Sequence, residues 1–213
     1  MTGFIELEGT PLPTVVYVPK GPAPADGWPT LLFLHGRGES GTDGLRCLIH
    51  GPGQRAIRER ENWPFLMIFP QKPGAEDTWF DLRDSLNEIL RQVERDYETS
   101  PHQRYLTGLS QGGRGTMECA DALAWSFAAI APICGWNTRP EIGPRLRDIP
   151  IWLFHGDADS VVPPTGSTEV EKAVREAGGN PRLTIYPGVG HDSWVQAYAE
   201  PELPTWFLSH RLG

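Results

Sequence analysis

The sequence predicts an α/β protein in which a mostly parallel sheet carries helices on both faces. Three observations point there. Short apolar runs, Thr30–Leu34, Phe65–Phe69, Phe127–Ile133 and Ile151–Phe154, are bounded by turn residues and read as strands covered on both sides. Between them lie segments of helical periodicity, clearest in Leu82, Leu86, Ile89, Leu90, Val93 and Tyr97. Glycine, histidine and aspartate cluster just after the apolar runs, at the strand ends where open α/β sheets bind ligands.

In chain order, Thr14–Val18 is β-branched and aromatic and with Phe4–Leu7 suggests an opening pair of strands. Residues 20–29 are a loop rich in Pro, Ala and Gly. The run Thr30–Leu34 ends in His35-Gly36-Arg37-Gly38-Glu39-Ser40-Gly41, glycine-rich sequence continues to Gly53, and a short helix is expected over 54–61. Pro70 closes the next strand, and 71–81 is a loop carrying Trp79 and Phe80. After the amphipathic helix, Ser100-Pro101 reads as a stop signal before the strand Tyr105–Leu109; a helix is expected from Gln111 to about Ala124. Phe127–Ile133 ends at Cys134-Gly135-Trp136. The polar connection 137–148 is too short for a helical cap, so an open cleft with no lid domain is expected. Ile151–Phe154 stops at His155-Gly156-Asp157-Ala158-Asp159. A helix over Thr168–Ala177, capped by Gly178-Gly179, precedes a last strand, Leu183–Tyr186, that ends in Pro187-Gly188-Val189-Gly190-His191-Asp192. Closing helices run through Trp194 and Trp206–Leu208.

At 213 residues the chain is read as one domain, 1–213. Its 19 basic and 27 acidic side chains give a net charge of -8, which disfavours nucleic acid or an anionic membrane as partner. No segment has the makeup of a signal peptide or of stable membrane insertion, so a cytoplasmic location is expected. Cys47, Cys119 and Cys134 are odd in number and widely spaced, and read as buried thiols; no metal site is signalled.

The chemistry centres on Gly108-Leu109-Ser110-Gln111-Gly112, where an apolar run meets a helix start. A serine flanked by glycines at two positions on either side fits a strained strand-turn-helix corner that lifts the hydroxyl clear of the sheet. Such a hydroxyl needs a base, and His191, on a flexible loop after the last strand, is the candidate. His35 and His155 read as structural, and His50, His102 and His210 as surface residues. Asp159, clamped by the Val161-Val162-Pro163 that follows, is the candidate for orienting the imidazole. Asp157 is its competitor as a turn residue, and Asp192 stands too close to His191 in sequence. Candidate oxyanion donors are the N–H groups of Gln111 and Arg37. The loop of Arg37 lacks the lysine and Ser/Thr of a phosphate-binding loop, so a nucleotide is not expected. The Arg37 guanidinium is expected to pair with Glu39, Trp136 and Trp194 to wall the substrate pocket, and Trp79 and Phe80 to belong to ordinary packing.

These motifs, Gly-Leu-Ser110-Gln-Gly-Gly, His-Gly-Arg-Gly-Glu-Ser-Gly, Ala-Pro-Ile-Cys-Gly, the stretch Pro-Ile-Trp-Leu-Phe-His-Gly-Asp-Ala-Asp159-Ser-Val-Val-Pro, and Gly-His191-Asp-Ser-Trp, resemble in order those of the α/β-hydrolase serine esterases. Within them the chain is most similar to the phospholipase/carboxylesterase group and its dienelactone-hydrolase-like and predicted-peptidase neighbours. The resemblance runs from about Pro29 to the carboxyl end. It implies an α/β-hydrolase fold and a cofactor-independent acyl transfer in which Ser110 attacks a small-molecule acyl ester, His191 relays the proton and water releases the acyl group. Short- to medium-chain esters are the expected substrates, with thioesters, lysophospholipids or small peptides as alternatives. A non-catalytic binding protein is the reading from outside enzymology. Arg37 and Arg114 depart from the usual pattern of the group.

Overall fold

The computed structural model describes residues 3–59 and 63–213. Eight strands form one sheet: β1 Gly3–Glu6, β2 Thr14–Val18, β3 Trp28–Leu34, β4 Leu66–Pro70, β5 Thr99–Leu109, β6 Ala129–Ile133, β7 Trp152–Gly156 and β8 Arg182–Tyr186. Their order is β1-β2-β4-β3-β5-β6-β7-β8. Only β2 runs opposite to the rest, antiparallel to both β1 and β4, and β4, β3, β5, β6, β7 and β8 are mutually parallel. This is the mostly parallel sheet with helices on both faces expected from the alternating runs, and it fits the fold that the motif resemblance implies.

Among the described residues, α1 Pro52–Arg58, α2 Arg83–Asp96, α3 Gln111–Cys119, α4 Ile142–Leu146 and α5 Thr165–Glu176 connect the strands, and α6 Trp194–Ala197 and α7 Glu202–Leu208 follow β8. The period-2 geometry of the strands divides the core in two. Leu32, Leu34, Leu66 and Ile68 point to the face covered by α2, α3, α4 and α5; Leu31, Phe33, Met67 and Phe69 point to the face covered by α1, α6 and α7. In α2, Leu86, Ile89, Leu90 and Val93 are fully buried. At roughly 1.5–3 kcal/mol for each such side chain, against a few tenths for helix propensity, packing decides that this segment is a helix.

Several boundaries differ from expectation. The helix expected over 54–61 starts earlier, at Pro52, where the fixed φ of proline suits a first turn, and the end expected at 60–61 lies outside the described residues. Ser100-Pro101 does not stop the strand: β5 runs from Thr99, and Pro101 sits where the pairing with β3 shifts register between Trp28 and Thr30. A bulge is where a strand tolerates a residue without an N–H. Helix α3 ends at Cys119, whose carbonyl accepts the N–H of Ala122 and Leu123 in a turn. The connection 137–148 holds α4, which packs on α5 so closely that a Cβ on Gly143 would lie 2.2 Å from the Ala173 carbonyl. Among the described residues no separate cap covers the carboxyl end of the sheet.

Candidate active site

The corner after β5 is built by close backbone approach. Ser110 has φ 53° and ψ -117°, a strained conformation for a residue with a Cβ, and its N–H donates to Ile133 O at 2.9 Å. A Cβ on Gly108 would lie 2.4 Å from Gly112 O; one on Gly112 would lie 1.8 Å from Leu34 O; one on Gly113 would lie 2.4 Å from Ile133 O. The glycines are therefore required by contact between β3, β5, β6 and the start of α3 as well as by the turn itself.

Ser110 Oγ stands 2.9 Å from His191 Nε2, and His191 Nδ1 stands 2.7 Å from Asp159 Oδ2. The imidazole is carried there by the loop after β8, which lies directly on the turn after β7: Ala158 N–H donates to Val189 O at 3.0 Å, and a Cβ on Gly156 would lie 2.2 Å from that same carbonyl. Asp159 Oδ1 accepts the N–H groups of Val161 and Val162, each at 2.9 Å. Burial pushes the Asp159 carboxyl up, but the bond from His191 and those from Val162 and Val161 outweigh it and hold the group below its usual range. A carboxylate acceptor makes Nδ1 the protonated nitrogen, which leaves Nε2 free to accept from Ser110. Asp157 accepts the N–H of Gly188 at 2.6 Å, and Asp192 is exposed.

His155 is fully buried beneath Asp159. Its Nε2 lies 3.0 Å from Val162 O and 3.2 Å from Asp159 Oδ2, while Nδ1 lies 2.7 Å from Ser167 Oγ. Val162 O can only accept, so Nε2 carries the proton and also faces the carboxylate; the sequence does not reveal this second contact. His35 is fully buried too. It donates from Nδ1 to Gly36 O at 2.6 Å and accepts the Lys72 N–H at Nε2, at 3.0 Å, which holds the glycine-rich loop against the loop after β4. Lys72, also buried, ties the same two loops with its ammonium on Ser40 Oγ (2.8 Å), Gly74 O (2.8 Å) and Ala75 O (3.2 Å), and desolvation lowers its pKa.

Burial lowers the His35 pKa from 6.5 to about 4, so the ring is neutral at neutral pH. The folded value lies below the unfolded one, the unfolded chain binds more protons in between, and stability is full above 6.5 and lost as pH falls toward 4. We expect about 3 kcal/mol of unfolding free energy to disappear across this window on account of His35. Urea titrations at several pH values should show a flatter dependence in His35→Gln; an identical dependence in the two proteins would sink the assignment.

The loop after β3 brings Arg37 beside Ser110, and the Arg37 and Gln111 N–H groups are left free by the backbone network among the described residues. The Arg37 guanidinium does not pair with Glu39 as expected. It reaches outward to Glu76, and Glu39 turns inward to lie 9% exposed. His50 keeps 41% of its side chain exposed, at the surface as expected, with its ring 5.6 Å from that of Trp194 and its Nε2 3.8 Å from Glu39 Oε1. The segment is tied to the loop after β4, Gly41 N–H donating to Lys72 O at 3.0 Å and Gly44 N–H to Gln71 Oε1 at 2.6 Å, an arrangement that loop composition does not disclose. His102 is at the surface, and His210 is half-buried against Trp206 at 5.0 Å.

A cleft of about 1010 Å³ opens above Ser110 and His191. Trp136 and Trp194 line it, with Ile142, Val162 and Val170 as an apolar wall from α4, α5 and the turn after β7. Trp79 is core instead, its Nε1 donating to His35 O at 3.0 Å, and Phe80 lies under Arg83 and Arg139. Arg114 bonds Glu118 at 3.0 Å and Thr138 at 2.9 Å and lies 5.7 Å from the Trp136 ring. Cys134, Asp159 and His191 each offer a possible metal ligand within 4.8 Å of one another. Asp159 and His191 are bonded to each other, however, and burial pushes the Cys134 thiol up to about 12, so it stays protonated and is a poor ligand. Burial likewise raises Cys47 and Cys119 to about 12.

A phospholipase/carboxylesterase family description matches residues 82–200. A probable carboxylesterase of Oryza sativa subsp. japonica is 26% identical over 231 residues, covering 92% of this chain and 83% of its own. Acyl-protein thioesterase 1 of Neurospora crassa is 26% identical over 237 residues, covering 90% of each. Among solved structures, a thermostable esterase superposes with a TM-score of 0.88 at 29% identity over 98% of this chain, which spans 63% of that protein's length. With the match extending over more than half its length, the chain belongs to the phospholipase/carboxylesterase family of α/β-hydrolases and is a serine hydrolase of the esterase type.

Proposed function

We propose that Ser110 is the nucleophile of a carboxylesterase, with His191 as general base and Asp159 as the carboxylate that orients it. The observation that carries this is the continuous chain Ser110 Oγ–His191 Nε2 at 2.9 Å and His191 Nδ1–Asp159 Oδ2 at 2.7 Å, opening into the cleft. Ser110 Oγ attacks the ester carbonyl carbon while its proton passes to His191 Nε2. The carbonyl oxygen becomes an oxyanion, for which the free N–H groups of Arg37 and Gln111 are the donors. The intermediate collapses with cleavage of the C–O bond to the alcohol, which leaves with the proton from Nε2. Water then attacks the acyl-Ser110 carbonyl, gives its proton to His191, and releases the acid and the free serine.

The apolar wall of Ile142, Val162 and Val170, with Trp136, supports short- to medium-chain acyl groups. No cofactor is required by these steps. No helix among the described residues is long and apolar enough to cross a membrane. The three buried, unpaired cysteines support a reducing, cytoplasmic setting, and the single continuous sheet supports one domain over 1–213. A fluorophosphonate probe tests the nucleophile: wild type is expected to label and Ser110→Ala not, and esterase activity surviving in that variant would overturn the mechanism. The relation to an acyl-protein thioesterase favours one second reading, in which the same acyl step acts on a thioester. Nitrophenyl esters of increasing acyl length beside an alkyl thioester separate the two, with the ester reading expecting the higher kcat/KM on short and medium esters.

A further inference from the structure

His155 is a buried titratable side chain that these steps do not use. It stands one residue before the end of β7, and the alternation of that strand sends it, like Leu153, to the face covered by α5. There the ring is fully buried, with Nδ1 2.7 Å from Ser167 Oγ of α5 and Nε2 3.0 Å from Val162 O. An apolar ring would fill the same space. Here both nitrogens are engaged, and because Val162 O can only accept, the tautomer turns an N–H toward the turn 159–162.

That N–H end meets Asp159 by two routes. Directly, Nε2 lies 3.2 Å from Asp159 Oδ2, the oxygen that also takes the His191 Nδ1–H at 2.7 Å, so Oδ2 faces two imidazoles. Indirectly, Nε2 holds the carbonyl of Val162, whose own N–H donates to Asp159 Oδ1 at 2.9 Å beside that of Val161. Each carboxylate oxygen thus faces two N–H groups, which matches its lone-pair sites. The charged or titratable groups around the ring are Asp159 on its own turn and His191 from the loop after β8. Cys134, from the loop after β6, lies within 4.8 Å of both and stays protonated, and Ser167 and Val162 carry no charge. Burial lowers the His155 pKa, outweighing the Val162 carbonyl and the Asp159 charge that raise it. A neutral ring faces the carboxylate without cancelling its charge, whereas a protonated one would compete with the imidazolium of His191.

We infer that His155 is a positioning residue of the hydrolysis: held by Ser167, it acts through Asp159 and keeps that carboxylate in the one orientation that sets Oδ2 on His191 Nδ1. The inference rests on the serine-esterase reading above, in which Asp159 orients His191. A carboxylate on a turn can rotate about its Cβ–Cγ bond and swing with its loop, and the two backbone N–H groups clamp Oδ1 alone. The His155 ring supplies the contact on the second oxygen and anchors the peptide that makes the clamp. A misplacement of about 1 Å in such a chain costs on the order of 10²-fold in rate. His155 does not line the cleft, so its loss should lower kcat and leave KM in place.

The test compares His155→Phe, which keeps a ring and removes both nitrogens, with His155→Gln, whose amide N–H reaches the place of Nε2. With p-nitrophenyl butyrate, His155→Phe is expected to lose about 10- to 100-fold in kcat with KM within about twofold, and His155→Gln to return to within about threefold of wild type. In an Asp159→Ala background the phenylalanine exchange should cost nothing further, because the contact it removes is with the missing carboxylate. The His191 Nδ1–H proton, shifted far downfield by its carboxylate bond in wild-type NMR spectra, should be lost or moved upfield in His155→Phe and restored in His155→Gln. A kcat in His155→Phe within about threefold of wild type, no recovery in His155→Gln, or an equal loss in Asp159→Ala overturns the positioning role and leaves the ring as packing. One measurement needs no variant: nitrogen NMR shifts of the wild-type ring should show a neutral His155 with its proton on Nε2. A proton on Nδ1 would set a lone pair against the carboxylate and overturn the inference whether or not the phenylalanine variant folds. Hydrolysis that persists in Ser110→Ala, or at full rate in Asp159→Ala, overturns the serine-esterase reading and this inference with it; Ser110-dependent hydrolysis at full rate in His155→Phe overturns the positioning role alone.

Discussion

Replacing His191 with alanine is expected to lower kcat for a nitrophenyl ester by roughly four to six orders of magnitude while leaving the protein folded. The ring is on a loop at the rim of the cleft, where it packs edge-on to Trp194 and bonds Asp159, and on the proposed mechanism nothing else takes the proton from Ser110 Oγ, 2.9 Å away. Asp159→Asn is expected to cost about 10⁴-fold, because an amide in place of the carboxylate can face Nδ1 with its NH₂ and stabilise the wrong tautomer. Asp157→Asn should be close to neutral, since its bond to Gly188 N–H uses an oxygen that the amide retains. Stopped-flow or steady-state rates with circular dichroism on the same samples check the three together. Full activity in Asp159→Asn with loss in Asp157→Asn would transfer the orienting role to Asp157.

The second large effect concerns folding. Gly112→Ala would place a methyl 1.8 Å from Leu34 O and 2.8 Å from His35 O, both backbone atoms of the central strand β3 and its exit. Neither can retreat without breaking the pairing of β3 with β5, so relief means moving α3 off the sheet and Ser110 with it. We expect several kcal/mol of destabilisation, in the range of severe overpacking, and a protein that is largely insoluble or unfolded at 37 °C. Gly38→Ala is the comparison, because a Cβ there meets nothing within 4 Å. Thermal melts of the two variants should differ by about ten degrees, what several kcal/mol means for a chain of this size; similar melting temperatures would show that the elbow tolerates a side chain.

The sheet was readable from sequence because a strand buried on both faces must be apolar throughout, and β3, β4, β6 and β7 are such runs. The strand ends bearing Ser110, Asp159 and His191 were readable for the same reason, each following an apolar run that stops at glycine or a turn. Pro101 misled, since a lone proline reads as a break until the register shift beside it is known. Loop 36–50 was the least legible part. Its composition announces a turn but not that Glu39 faces inward, that Arg37 leaves it for Glu76, or that His50 comes to rest on Trp194.

By itself, then, the sequence determined the α/β class, the elbow glycines around Ser110 and the order of the residues at the strand ends, because local sterics and burial periodicity act on neighbours along the chain. Only the tertiary structure decided that residues 81 and 32 positions apart meet at hydrogen-bond distance, that His155 stands beneath Asp159, and that Glu39 turns inward while Arg37 leaves it for Glu76. Those contacts depend on how loops from different strands stack over one sheet edge, and their energies are set by groups distant in sequence, so no stretch of the chain encodes them alone.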